Sequence, residues 1–300
     1  MTSVVAQNAG PVGVWTWTLD PRPHAETVEL ARLVESLGYG ALWFKEDFGR
    51  DGLAAASVLL AATERLVIAN GVASMYARDA VAMRSAQRVL GEAHPGRHLL
   101  GVGVSHAAHV EARGQRYGSP VDTATRYLQT MREAAFISPE PAVPTLTLLA
   151  ALGPRMLDVA ARHADGVHAF GITPGHTRAV RAALGPDAFL APVAPVVLDD
   201  DVERGRVTAR AYVGLLAGLE NYRRAWRRLG FGDEDLAGGG SDRLVDALVA
   251  VGDEDVVSAR VAAHQDAGAD HVAIQFLSAD LQTPPAAAWT RYAARLSARG

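Results

Sequence analysis

The chain has 300 residues, 49% of them hydrophobic and 21% charged, with a formal net charge of −4 at pH 7. That is enough apolar material for a sizeable core, and the absence of a dense Lys/Arg block argues against nucleic acid as a partner. Cysteine is absent, which excludes disulfides, thiolate metal sites and cysteine nucleophiles; no apolar run approaches a membrane span and no signal-like segment opens the chain, so a soluble cytoplasmic protein without membrane contact is expected.

In chain order, Pro11 to Leu19 reads as a strand punctuated by Asp20-Pro21-Arg22-Pro23. Ala25 to Leu37 follows as a helix, with Val28, Ala31, Val34 and Leu37 at helical spacing, and Gly38-Tyr39-Gly40 stops it. Ala41 to Phe44 is a short apolar strand ending in Lys45-Glu46-Asp47. The rhythm repeats with a helix over 53–63, a strand over 65–73 and a helix near 81–90. Pro95-Gly96 then turns the chain into Arg97 to Val104, an apolar strand thinned by Gly101 and Gly103 that exits on Ser105 and His106. A polar connection over 107–122 leads into a helix over 123–136; strands are expected at 145–151, 165–170 and 188–198, separated by helices. Residues 199–229 are mostly helical, with Arg223, Arg224, Arg227 and Arg228 read as one solvated face, and Gly238-Gly239-Gly240 reads as a flexible break. A helix over 253–267, a strand over 271–276 and a helix over 284–298 complete the chain.

Eight strands alternating with helices imply an α/β protein with a parallel sheet, and eight units in 300 residues favour a (β/α)8 TIM barrel over a doubly wound open sheet. With no linker dividing it, the chain reads as one domain over 1–300, with insertions near 105–122 and 199–252.

Chemistry on such a barrel belongs where the strands end in βα loops. His106 is the leading acid or base there, since an imidazole suits proton transfer near neutral pH. Glu46 and Asp47 are an acid–base pair only if both point into a confined site, and otherwise are loop caps. His106, His109 and Glu111 form His-x-x-His-x-Glu, which matches no zinc spacing, so no metal is expected. Gly101-x-Gly103-x-x-His106 departs from a dinucleotide fingerprint at its third position. The Leu152-Gly153-Pro154-Arg155 turn opens a helix and reads either as a plain βα turn or as an anion site.

Taken jointly, Gly38-Tyr39-Gly40-Ala41-Leu42-Trp43, Gly49-Arg50-Asp51, Asn70-Gly71-Val72-Ala73-Ser74, Pro95-Gly96-Arg97, Leu100-Gly101-Val102-Gly103-Val104-Ser105-His106, Ala151-Leu152-Gly153-Pro154-Arg155-Met156 and Ala164-Asp165-Gly166 resemble the luciferase-like monooxygenase superfamily, particularly its branch of deazaflavin (coenzyme F420)-dependent oxidoreductases. The resemblance implies a luciferase-like barrel with a helical insertion, a homodimer, and coenzyme F420 at the C-terminal mouth, acting with a small organic substrate. It also implies a non-proline cis peptide in a bulge after the third strand, mapped to Ala73-Ser74, with Gly103 leaving room, Ser105 holding the cofactor and its phosphate near Leu152, Gly153 and Pro154. Proton transfer would fall to His106, Asp47 and Glu46. An FMN-dependent monooxygenase and a cofactor-binding barrel without turnover are the alternatives, and metal-dependent hydrolysis is a more remote one.

Overall fold

The computed structural model describes residues 3–297. Its strands are β1 (Val12–Thr16), β2 (Ala41–Phe44), β3 (Val67–Ser74), β4 (His98–Gly103), β5 (Leu146–Ala150), β6 (Gly166–Ala169), β7 (Phe189–Leu198), β8 (Ala250–Gly252) and β9 (Val272–Phe276). Its helices are α1 (Val4–Ala9), α2 (His24–Ser36), α3 (Gly52–Ala62), α4 (Ala80–Ala93), α5 (Ala107–Ala112), α6 (Pro120–Glu133), α7 (Pro154–His163), α8 (Pro174–Leu184), α9 (Val202–Ala217), α10 (Glu220–Arg228), α11 (Asp233–Leu236), α12 (Asp242–Leu248), α13 (Glu254–Asp266) and α14 (Ala286–Ser297).

All pairings are parallel, in the order β6-β5-β4-β3-β2-β1-β9-β7, and β6 pairs back onto β7, so eight strands close a TIM barrel. These are the eight strands legible in the sequence. The ninth, β8, lies outside the ring and pairs with Val196 to Leu198, the end of the ten-residue β7. Three residues are too few to carry a periodic signal, which is why it escaped the sequence reading.

The strands are buried on both faces, and alternate residues serve two cores. Leu42, Ile68, Leu100 and Leu149 face the surrounding helices. Trp43, Ala69, Leu99 and Leu148 face the barrel interior, where α1 joins them through Val5, Ala6 and Ala9. That short helix, which the sequence did not announce, covers the N-terminal end: Asn8 donates to the Gly96 carbonyl at 3.0 Å and His271 Nδ1 donates to the Gly10 carbonyl at 2.8 Å. His271 Nε2 then accepts from Trp43 Nε1 at 3.0 Å, so both ring nitrogens are partnered and burial pushes the imidazole down to about 4.

A third core forms at the opposite end, where Tyr212, Val213, Tyr222, Trp226 and Leu244 of α9, α10 and α12 pack on Val197 and Leu277. The connection over 107–122, expected to be polar loop, instead contains α5 and the start of α6, because Ser119 caps α6 and Pro120 fits its first turn. Gly238, Gly239 and Gly240 are a defined turn with φ of 59°, 86° and 103°, and the Gly240 carbonyl accepts from Arg210.

Candidate active site

The register between β3 and β4 shifts between Asn70 and Ala73, and the cis peptide of this bulge is Gly71-Val72, two residues before the expected Ala73-Ser74. Packing explains why the bulge centres there. A Cβ on Gly71 would lie 2.6 Å from Trp15 Nε1 and 2.8 Å from His168 Nε2, so only glycine fits. The Val72 side chain turns under β4, where a Cβ on Gly101 would come within 3.0 Å of Val72 Cγ1 and one on Gly103 within 2.8 Å of Cγ2. The two β4 glycines therefore make room for the bulge itself. Trp15 Nε1 donates to the Gly71 carbonyl at 3.1 Å and the Glu46 amide to the Val72 carbonyl at 3.1 Å.

Glu46, at the end of β2, has a side chain only 2% exposed. Its Oε1 accepts from the Gly52 amide at 2.8 Å and from Arg78 Nη2; its Oε2 accepts from the Ser74 amide at 2.7 Å and from Arg78 Nη1 at 3.0 Å. Arg78 also donates to Asp51, which caps α3. One carboxylate thus ties the ends of β2 and β3 to the start of α3, with four donors converging on two oxygens. Ser74 gives its amide to Glu46 and its hydroxyl accepts from the Tyr76 amide, while Ala73 is fully buried.

Asp47 points elsewhere. Its Oδ2 accepts from Lys45 at 2.9 Å, its Oδ1 lies 3.2 Å from His109 Nδ1, and its carbonyl accepts from Arg113. The His109 ring meets the His106 ring edge to face at 5.5 Å. His106 is held below the usual imidazole range by burial first and then by its neighbour His109, against opposing contributions from Asp47 and a hydrogen bond to Asn221. Ser105 takes a left-handed conformation at φ 56°, which turns the chain sharply between strand and site, and its carbonyl accepts from Tyr117. The structure thus links Asp47 to His106 through His109 and keeps Glu46 in a separate network. Among the described residues no group of His, Asp and Glu is placed to hold a metal ion.

On the far side of the mouth, Gly153 precedes α7, whose N-terminus has no side-chain cap. Arg228 of α10 reaches this turn: its Nη2 lies 3.4 Å from the Leu152 carbonyl and 3.4 Å from where a Gly153 Cβ would stand. Arg228 is exposed like its neighbours on the solvated face, where Arg223, Arg224 and Arg227 pair with Glu220 and Asp233, but its guanidinium also reaches Leu152. His176 on α8 is 6% exposed and leaves Nδ1 buried without a partner; burial first and then the Arg228 charge hold it below its usual range. The turn thus brings together an uncapped helix start and the Arg228 guanidinium.

Between the two sides runs a row of rings. Trp15 meets Phe170 at 4.9 Å and Trp17 at 6.0 Å, Trp17 meets Tyr212 at 5.6 Å, and Tyr222 meets Phe170 and His106, each at 6.1 Å. Arg228, His176 and Tyr222 were not singled out from sequence as site residues, and His109 only as a metal ligand that was set aside, because they come from helices whose approach to the mouth is a tertiary matter. Only His109 carried a signal, its position three residues after His106.

The family model of luciferase-like monooxygenases matches residues 10–271. A protein described as a candidate coenzyme F420-dependent oxidoreductase from Mycobacterium tuberculosis is 31% identical over 114 residues, 38% of this chain and 32% of the relative. A 5,10-methylenetetrahydromethanopterin reductase from Methanolobus tindarius is 26% identical over 164 residues, 48% of this chain and 50% of the relative, so the matches span half or less of these curated proteins. Among solved structures, an F420-dependent secondary alcohol dehydrogenase bound to an F420-acetone adduct superposes with a TM-score of 0.75 at 14% identity, over 95% of this chain and 97% of that one, which shows a shared fold. The closed parallel barrel and the family match over nearly its whole length establish that the chain belongs to the luciferase-like monooxygenase family.

Proposed function

We propose that this chain, as a single unit over residues 1–300 and as a homodimer, is a coenzyme F420-dependent oxidoreductase that transfers hydride to or from a small organic substrate. The observation that carries the reading is the Gly153 turn with Arg228 beside it, facing across a row of aromatic rings an imidazole at the end of β4. The names of the curated relatives support the cofactor.

The residues present fit such a group. Leu152, Gly153 and Pro154 with Arg228 would hold its phosphate, because an uncapped helix start and a guanidinium both favour an anion. Trp17, Phe170 and Tyr222 offer planar apolar faces to a planar ring. The bulge that ends in Ala73 and Ser74, and the Gly103 and Ser105 turn beside it, shape the floor. When bound, the deazaflavin supplies two-electron hydride chemistry.

The protein's own part is position and proton movement. His106 accepts the proton of a substrate hydroxyl as hydride leaves the carbinol carbon, and returns it to the carbonyl oxygen in the reverse direction. Asp47 acts on the histidines, whereas Glu46, with all four lone-pair sites engaged, positions the bulge. The test is anaerobic turnover with reduced and oxidised deazaflavin against a panel of alcohols, ketones and enones. Substrate-dependent oxidation or reduction without oxygen supports the reading; turnover only with FMN and concurrent oxygen consumption overturns it in favour of a monooxygenase.

A further inference from the structure

His109 has no role in the reading above beyond standing between Asp47 and His106, yet its surroundings are specific. Its Nδ1 lies 3.2 Å from Asp47 Oδ1, and Asp47 is itself fixed by Lys45 at 2.9 Å and by Arg113 on its carbonyl. The Phe48 ring packs edge-on against the imidazole at 5.4 Å, and the Arg113 guanidinium lies over the Phe48 ring. A carboxylate on Nδ1 selects the tautomer that carries its proton there. The ring so oriented meets His106 at 5.5 Å and 87°.

Two imidazoles at this separation do not both take a proton freely, since the second charge is opposed by the first. Asp47 stands against one of the two and so decides where the first proton resides. We propose that His109, locked by Asp47, is a positioning residue that receives the pair's first proton and so leaves His106 unprotonated, ready to accept a proton from substrate. This rests on His106 being the acid–base group. The groups that bear on the pair are Lys45 and Asp47 from the end of β2, Arg113 at the end of α5, and Asn221 and Tyr222 on α10. Burial of His106 works in the same direction, and the charge of His109 adds to it.

The pair is accessible to nitrogen-15 histidine spectroscopy in the cofactor-free protein, so the test needs no turnover. In wild type, the His109 nitrogen shifts report the Nδ1-protonated tautomer; in Asp47→Asn they move toward the Nε2-protonated form. In His109→Gln, the proton affinity of His106 rises by at least about threefold, the minimum that a neighbouring unit charge at this separation produces in a water-like dielectric. An unmoved His106 titration in His109→Gln, or an unchanged His109 tautomer in Asp47→Asn, overturns the proposal. Far-ultraviolet circular dichroism shows whether each variant is folded, and the two variants report independently. Expected titrations without deazaflavin turnover would instead count against the proposed function and leave the pairing of the histidines standing.

Discussion

Replacing Glu46 by glutamine separates a positioning carboxylate from a catalytic one. The native side chain is 2% exposed and receives four donors, two on each oxygen: the amides of Gly52 and Ser74 and both Nη groups of Arg78. Glutamine keeps the shape but turns one acceptor into an NH2 donor, so two of the four bonds become donor against donor whichever way the amide is turned. Arg78, with a side chain 11% exposed, loses its main counter-charge and keeps only Asp51. Removing one partner of a buried charge pair costs about 3–5 kcal/mol, and hydrogen bonds to charged groups are worth about 1.5–3 kcal/mol each. Glu46→Gln is therefore expected to lose about 3–5 kcal/mol of stability, read as a lower urea midpoint at unchanged slope. The folded fraction should still bind cofactor and turn over within about threefold of wild type, well short of the roughly 100-fold or larger effect of losing a general acid or base. An unchanged urea midpoint with a large loss of turnover would refute the reasoning and make Glu46 a catalytic group.

Other expectations follow from the same geometry. His106→Ala lowers turnover by about 100-fold or more while deazaflavin affinity survives, as measured by steady-state kinetics beside a fluorescence titration. Arg228→Ala weakens deazaflavin binding by about 10- to 100-fold, the effect of one lost charge-assisted contact, with little change in the urea midpoint. Gly101→Ala, whose Cβ would stand 2.3 Å from the Asn70 carbonyl oxygen, forces the bulge to shift and costs about 1–3 kcal/mol. Acid sensitivity arises from histidines buried in neutral form: burial pushes His98, His168 and His264 down to about 3 and His271 to about 4. Below the unfolded-state value near 6.5 the unfolded chain binds protons that the native one refuses, so their contribution is fully present above that pH and is lost as pH falls toward the native values. Each should contribute roughly 1 kcal/mol of destabilisation between pH 6.5 and 5.5, and an urea midpoint flat across that interval would contradict this.

The barrel was legible because its strands are apolar on both faces and its helices interrupt them regularly. That is a local property of sequence, and it located Ser105 and His106 at the exit of β4 without any tertiary information. Boundaries set by caps were less visible: α6 begins at Pro120 because Ser119 caps it, three residues before the apolar spacing becomes regular. The cis peptide was placed two residues late because bulge position depends on which glycine faces Trp15 and His168, a fact about neighbouring strands. Glu46 and Asp47 looked like a pair in sequence, yet adjacent residues at a strand end point in opposite directions, and each joins a different network. Arg228 read as one of four solvated arginines and is exposed; that its guanidinium also reaches Leu152 is a tertiary fact that nothing local announces.

The most direct test of the central claim is an equilibrium titration of the purified protein with oxidised coenzyme F420 and, separately, with FMN, followed by the change in cofactor fluorescence. Micromolar or tighter binding of the deazaflavin, weakened by Arg228→Ala and with FMN binding much more weakly, is the predicted result. Tight binding of FMN with no binding of the deazaflavin, or binding of neither, would contradict it.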